Sequence, residues 1–312
     1  MNFQSMEYFI AVAEERSFTR AAERLAVTQQ TLSAHIAGVE RELGVRLVER
    51  RVPLELTYAG EEFLGYARRF RAEHRAMRHE FRDIAGDERG RLRVGVTNTR
   101  GHIMMPRAIA SFVKEHPKIR VQLEEGENAE LVEQLQEGTI DLVVATIDKK
   151  IPGLVVSDLY SEHVELLVSN ALLEELYGDY ADAAIERVRT TGSLDAIASC
   201  PFLVVGQRDV TGGLARTLFA ESGIDPWVRV ISKNSETLVA LARRGVGACF
   251  VPSELVATTF ADPEAAGMTT VRFGERMSYK VSVAWRAQGH TWSMVGAFAD
   301  VLREQFSDAT WQ

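Results

Sequence analysis

The chain has 312 residues, 46% of them apolar, which is enough for two or three packed domains. No apolar run approaches the length of a membrane span. The N-terminus lacks the basic-then-apolar pattern of an export signal, so a cytoplasmic setting is expected. Two cysteines, Cys200 and Cys249, with no CxxC pair, argue against a disulfide framework or a metal site, and a net charge of −8 argues by itself against nucleic acid.

That charge is unevenly placed. Residues 1–85 hold 13 Arg and 13 Asp plus Glu, so the remainder carries all of the −8. A neutral N-terminal module on an acidic body needs local basic clusters and multivalency to hold a polyanion. Met6, Phe9, Ile10 and Ala13 mark a first amphipathic helix. Two short helices follow, at about residues 19–25 and 29–43. Thr19 and Thr28 sit where N-caps are wanted. Small Ala21 and Ala22 permit a close helix crossing, and Leu32, Ile36, Val39 and Leu43 give the second helix one buried stripe. Its other face offers Gln29, Gln30, Thr31, Ser33, Ala34 and His35. A polar helix face propped by a second helix suits a helix-turn-helix in the major groove; a plain αα-hairpin fits the spacing too. After Gly44, residues 45–57 alternate around Pro53 and suit a two-stranded wing, with Arg50 and Arg51 at its tip or flank, in reach of phosphates or a minor groove.

Here the sequence becomes specific. MEYFIAVAEERSFTRAAERL, then TLS, ELGVRLVER and LTYAGEEFL, stand in the order and spacing of the N-terminal domain of LysR-type transcriptional regulators, which this region resembles. The likeness continues more loosely over the rest. It implies an α/β protein with an N-terminal all-α winged helix-turn-helix, a linker helix, and an effector domain of two α/β lobes resembling periplasmic-type solute-binding folds. It also implies a homodimer or homotetramer on double-stranded DNA with an interrupted palindrome, with RNA polymerase as a possible contact. The recognition helix departs from the family pattern. Gln30 stands where proline is common, Ala34, Ala37 or Gly38 where arginine is common, and no Lys or Arg lies between Thr28 and Glu40. Base readout then falls to Gln29 and Gln30, which can pair with adenine, and to Thr31 and Ser33. Thr19, Thr28 and His35 complete the expected DNA face, with positioning charge from Arg20, Arg46, Arg50 and Arg51.

Residues 57–84 read as one long helix. Phe63, Phe70, Met77 and Ile84 repeat every seven residues, and Ala67, His74 and Phe81 fall four after the first three, a heptad seam with nothing nearby in sequence to cover it. That predicts dimerisation through Phe63, Ala67, Phe70, His74, Met77 and Phe81. The alternative is a helix packed on its own domain. The expected division is 1–57 for the reading head, 58–86 for the linker helix, 87–91 for a linker and 92–312 for the effector domain. Within the last, lobe 1 covers about 92–160 and 269–312, and lobe 2 about 161–268.

From Leu92 the chain alternates short strands and helices through IDLVVAT, which means parallel pairing with right-handed crossovers; the pattern resumes from VELLVSN and closes with YKVSVAW and a last helix. Residues 170–199 are longer and more helical than the family pattern leads one to expect. Ligands in open α/β sheets bind beyond the carboxyl ends of strands. The first strand ends in Thr97, Asn98, Thr99 and Arg100, where hydroxyls, an amide and a guanidinium converge, which favours an anion such as a carboxylate. Asn128, Thr146, Gly206 and Gln207 are expected to face it across the cleft, with Ser232 and Phe250 as further candidates.

No HExxH, P-loop lysine or nucleophile elbow is present, and no catalytic or metal-ligating set is predicted. Cys200 and Cys249 do not lie at the spacing of the cysteine pair through which some family members sense oxidants. The reading is a DNA-binding transcriptional regulator, not an enzyme, modulated by a small anionic effector and needing no cofactor. Two others stay open: a ligand-independent DNA-binding oligomer, and a cytoplasmic small-molecule-binding protein or enzyme with a vestigial helix-turn-helix.

Overall fold

A computed structural model describes residues 1–49, 51, 53–86, 89–147, 151–206, 209–287 and 290–307. The head is built from α1 (Phe3–Glu15), α2 (Phe18–Leu25) and α3 (Gln29–Leu43). The cap of α2 is Ser17, whose Oγ accepts from the Arg20 amide at 3.3 Å; the expected cap, Thr19, lies inside the first turn because the helix starts one residue earlier. Thr28 does cap α3, accepting from the Thr31 amide at 3.1 Å. Leu32, Ile36 and Val39 pack with Phe9, Ile10 and Ala21 in one core, while Leu43 at the end of the same helix is exposed.

The wing is the antiparallel pair β1 (Val48–Glu49) and β2 (Glu55–Leu56). Glu40 on α3 pins it, Oε1 accepting from the amides of Leu47 at 2.8 Å and Val48 at 3.3 Å. The wing presses on the start of the linker helix, α4 (Tyr58–Ile84), at Gly60. A Cβ there would lie 2.0 Å from the Leu47 carbonyl oxygen, a backbone atom that cannot step aside. Gly60→Ala is therefore expected to destabilise the head by roughly 2–4 kcal/mol, read as a lowered first transition in thermal melts with the effector-domain transition unchanged.

The effector domain runs β3 (Gly90–Val96), α5 (Asn98–Ile103), α6 (Met105–Glu115), β4 (Ile119–Glu125), α7 (Asn128–Gln136), β5 (Leu142–Ala145) and β6 (Leu154–Ser169). It continues α8 (Asn170–Tyr177), α9 (Ala181–Thr191), β7 (Phe202–Val205), α10 (Val210–Glu221), β8 (Val228–Ser232), α11 (Ser235–Ala242), β9 (Ala248–Pro252) and α12 (Ser253–Thr259). It ends with β10 (Met268–Arg272), β11 (Ser278–Arg286) and α13 (Ser293–Phe306). Strand order is β4-β3-β5-β11-β6-β9-β7-β8, with β10 also on β6. The 16-residue β6 belongs to both lobes: its first part pairs with β11, its last with β9 and β10. Because β10 lies on the second-lobe part of β6, the chain returns to the first lobe between residues 273 and 278, later than the expected 269. The 170–199 segment is α8 and α9, which bury Leu172, Leu173, Ile185 and Val188 in the second-lobe core. Phe250 belongs to that core and does not reach a ligand site by the cleft.

One face of α4 is occupied by its own chain. Phe63 and Ala67 are buried in the head's core, and His74 lies against the Phe3 ring at 4.3 Å. These three expected seam positions are thus covered by α1, a partner that heptad spacing cannot distinguish from a second helix. Further along, Arg68 pairs with Glu137 at 2.6 Å, Arg75 Nη1 donates to the Gly138 carbonyl at 2.8 Å, and Asp83 accepts from Ser293 Oγ at 2.7 Å. His79, also buried, stacks on Trp292 at 3.9 Å between ring centroids. Burial, then the charges of Arg75, Arg82 and Arg93, push its pKa down to about 4, so the ring is neutral in this clamp. The face turned away from that clamp, which continues the stripe of Phe63 and Ala67, is left bare: Tyr66, Phe70, Met77, Phe81 and Ile84 are 46–74% exposed. Among the described residues no helix is long and apolar enough to cross a membrane.

Candidate functional site

The lobes meet in a cleft at the carboxyl ends of their strands. Thr97, Asn98, Thr99 and Arg100 line it after β3, and Asn128 after β4. The second lobe supplies Thr211 from α10 and Ser235 from α11. Arg100 turns inward and is only 7% exposed; its Nη1 donates to Thr97 Oγ1 at 3.0 Å and its Nη2 to Thr146 Oγ1 at 3.3 Å. Thr146 is therefore a support and not a wall: its amide donates to Asn128 Oδ1 at 3.0 Å, tying two of the expected residues together. Burial opposes the Arg100 charge, but the surrounding Tyr279, Tyr160 and Glu162 more than offset it and raise the pKa. Since α5 is a six-residue helix, the positive potential here comes from that guanidinium more than from a helix end.

Gly206 does not reach the cleft wall. Its amide donates to the Ser232 carbonyl and its carbonyl accepts from the Asp209 amide, so it shapes the turn that sends Thr211 inward. Gln207 lies outside the described residues. Sequence reasoning missed several wall residues, among them Asp209, Thr211, Lys233 and Ser235 of the second lobe and the buried Tyr160, Glu162 and Tyr279. Tyr160 and Glu162 share one face of β6, and Tyr279 on β11 is the direct cross-strand partner of Glu162. Glu162 is 3% exposed; Ser253 Oγ donates to its Oε1 at 3.1 Å and the Tyr160 hydroxyl to its Oε2 at 3.4 Å. Burial pushes its carboxyl up to about 7, Glu254 adds to the push, and Arg100 pulls against it. The enclosed space in the cleft is about 50 Å³, walled chiefly by polar groups and not filled by apolar side chains of the chain itself.

On the head, Gln29, Gln30 and Thr31 are exposed on the first turns of α3 and Thr28 is exposed at its cap. A groove between α3 and the wing is lined by Thr19, Arg20, Gln29, Ser33, Arg51 and neighbouring residues. His35 does not join them. Its Nδ1 is 2.9 Å from Ser5 Oγ and its ring packs edge-on against Tyr8 at 4.8 Å, because the 3.6-residue period carries it round to α1. Arg50 lies outside the described residues. The arginines of this face are matched by acids: Arg20 with Glu15 at 3.8 Å, Arg24 with Glu14 at 2.8 Å, and Arg51 with Glu49 and Glu55.

Cys200 and Cys249 are both buried. Burial lifts the Cys200 thiol to about 11 and the Cys249 thiol further, so neither is a thiolate at neutral pH.

A winged helix-turn-helix joined by one helix to a two-lobed domain with a polar interlobe cleft defines a DNA-binding regulator that carries a small-molecule receptor. The comparisons agree. Residues 3–61 match the model of the bacterial regulatory helix-turn-helix proteins of the LysR family, and residues 85–307 match that of the LysR substrate binding domain. The chain belongs to the LysR family of transcriptional regulators. It is 28% identical over 257 residues to a probable RuBisCO transcriptional regulator of Trieres chinensis, covering 81% of each chain. It is 28% identical over 254 residues to the DNA-binding transcriptional dual regulator OxyR of Escherichia coli, covering 81% of this chain and 79% of that one. Among solved structures, full-length CbnR complexed with its target DNA superposes with a TM-score of 0.64 at 26% identity, over 97% of this chain and 99% of that one. A full-length OxyR variant from Pseudomonas aeruginosa superposes with a TM-score of 0.70 at 21% identity, over 97% and 98%.

Proposed function

We propose that this regulator responds to a small metabolite bearing a carboxylate, bound between the lobes with its acid group on the 97–100 loop. The observation that carries this is the buried Arg100 guanidinium in the cleft wall, held by two neutral hydroxyls with no carboxylate at ion-pairing distance among the described residues. A cation held so is a receptor for an incoming anion. The polar wall favours a liganded cleft over a second domain that only oligomerises. The buried thiols speak against carrying peroxide sensing over from the OxyR relatives.

The remaining assignments follow from this. Residues 1–57 read DNA in the cytoplasm through Gln29, Gln30, Thr31 and Ser33, with Arg20 and Arg51 on phosphates after exchanging their carboxylate partners. The bare stripe of α4 pairs two chains, so that two heads meet an interrupted palindrome, and pairs of dimers give tetramers.

Thr99 lines the cleft without holding its fold together through any described side-chain bond. In Thr99→Ala, the effector concentration that half-saturates the change in DNA binding should rise at least tenfold, with effector-free DNA affinity unchanged, as read by fluorescence anisotropy on the promoter. Loss of both responses together would count against separate reading and sensing domains.

A further inference from the structure

We propose that the effector is a small zwitterion of the amino-acid type, its carboxylate on Arg100 and the 97–100 loop and its ammonium group against Glu162. This rests on the effector site just proposed and names the class of molecule that fills it. Among the charged residues lining the cleft, which include Glu127, Asp209 and Lys233, Arg100 and Glu162 are each almost fully buried, and they attract one another without a direct ion pair. Arg100 donates to the Thr97 and Thr146 hydroxyls. Glu162 accepts from Ser253 and Tyr160. The Tyr160 phenol donates to Glu162 and helps hold the Arg100 charge. A carboxylate has about four acceptor sites, and two neutral hydroxyls leave it capacity for a charged donor. A buried acid with no cation at ion-pairing distance is costly, so its presence in a ligand cleft calls for a ligand that supplies one.

The other classes make less use of Glu162. A dicarboxylate with one acid on Arg100 finds a second cation in Lys233, which also lines the cleft, but leaves the Glu162 carboxyl without a charged donor, and an aromatic acid leaves it so too. The space between the walls is about 50 Å³, which suits a small molecule. Ser253 begins α12 in the second lobe, so an ammonium drawn to Glu162 sits where the two lobes touch.

The charged and titratable groups that face Glu162 are Arg100 on α5, Tyr160 on its own strand, Tyr279 on β11 and Glu254 at the start of α12, with Asp209 and Lys233 lining the same cleft from the second lobe. Burial carries Glu162 to about 7, inside the range of pH 6 to 8, while Tyr160 and Tyr279 are held above it. Affinity for an ammonium-bearing ligand should accordingly rise across that window.

The test is calorimetric titration of the full-length protein with the common L-amino acids, their des-amino carboxylic acids, and succinate and glutarate. At least one amino acid should bind ten times or more tighter than its des-amino counterpart, with affinity rising from pH 6 to pH 8. Glu162→Gln should erase most of that preference and flatten the pH profile, while its affinity for the des-amino acid is kept or improved. Equal binding of the des-amino acid to wild type, tighter binding of succinate or glutarate, or no binding by any amino acid overturns the proposal; the selectivity of the wild type decides even if the variant folds poorly. Arg100→Gln separates the two levels of the argument. If it abolishes binding of carboxylic acids while the amine makes no difference, only the zwitterion falls. If it changes nothing, the effector site itself falls.

Discussion

Glutamate at both Phe70 and Phe81 is expected to make the protein monomeric at micromolar concentration and to weaken its hold on a palindromic site by about 10²–10⁴-fold, the range that linked binding modules gain over single ones. Phe70 and Phe81 are 54% and 64% exposed on the bare stripe of α4. A buried aromatic at an interface centre is commonly worth 2 kcal/mol or more, and two charges facing their own symmetry mates add repulsion. The loss is expected to reach DNA because a single head should bind weakly. Its recognition helix has no Lys or Arg between Thr28 and Glu40, and Arg20, Arg24 and Arg51 must leave carboxylates before meeting phosphates. Sedimentation velocity with anisotropy on full and half sites checks both parts. A double variant that stays dimeric would remove α4 as the interface; a monomer with undiminished full-site affinity would show that one head suffices.

Glu162→Gln is expected to stabilise the ligand-free effector domain at pH 8 by about 3 kcal/mol, and by much less at pH 5. The folded state raises the Glu162 pKa from 4.5 to about 7, a difference worth about 3 kcal/mol at 1.36 kcal/mol per unit. The sign follows from where the proton is held. The folded protein favours the protonated acid, so that stability is fully present below about pH 4.5 and is lost as pH rises through 7. Glutamine is neutral throughout, so the gap between variant and wild type should open over that window and level off above it. Urea unfolding at the two pH values measures it. A gap that does not change with pH would mean the carboxyl is not ionising inside the fold.

The sequence made the order of elements plain because each carries its own period. The α3 stripe of Leu32, Ile36 and Val39, the Thr28 cap and the β3–α6–β4–α7–β5 alternation are local patterns. What failed depended on neighbours far away in the chain. Phe63 and Ala67 fit a heptad as well as Phe70 and Met77 do, and only the position of α1 separates them. His35 sits on a helix face that looks polar in sequence but is half taken by Tyr8 and Ser5. Within the cleft, Thr97, Asn98, Thr99, Arg100 and Asn128 were legible from the strand-end rule. Tyr160 and Glu162 were not, because Ser157, Asp158 and Ser161 break up the apolar run of β6 and hide a strand; Tyr279 stands in a strand the sequence does show, and only its pairing with Glu162 puts it in the cleft. The surviving signal was the alternation of Leu159, Ser161 and His163 against Tyr160 and Glu162, and pairing with β11 gives it meaning.

The clamp on α4 decides which part of the molecule is the stator and which the rotor. Among the described residues, every hydrogen bond and ion pair from α4 to the effector domain lands on the first lobe, at Glu137, Gly138, Asp141, Arg286, His290, Ser293 or the Arg89 carbonyl. If head, helix and first lobe turn as one piece, the second lobe is left to swing on β6 and on the 273–278 return, and a ligand that closes the cleft would move the lobe that α4 does not hold. Its message has no rigid shaft back to its own head, and in a dimer or tetramer it passes through whatever the second lobe touches on a neighbouring chain. A lone subunit would bind its effector and stay deaf to it.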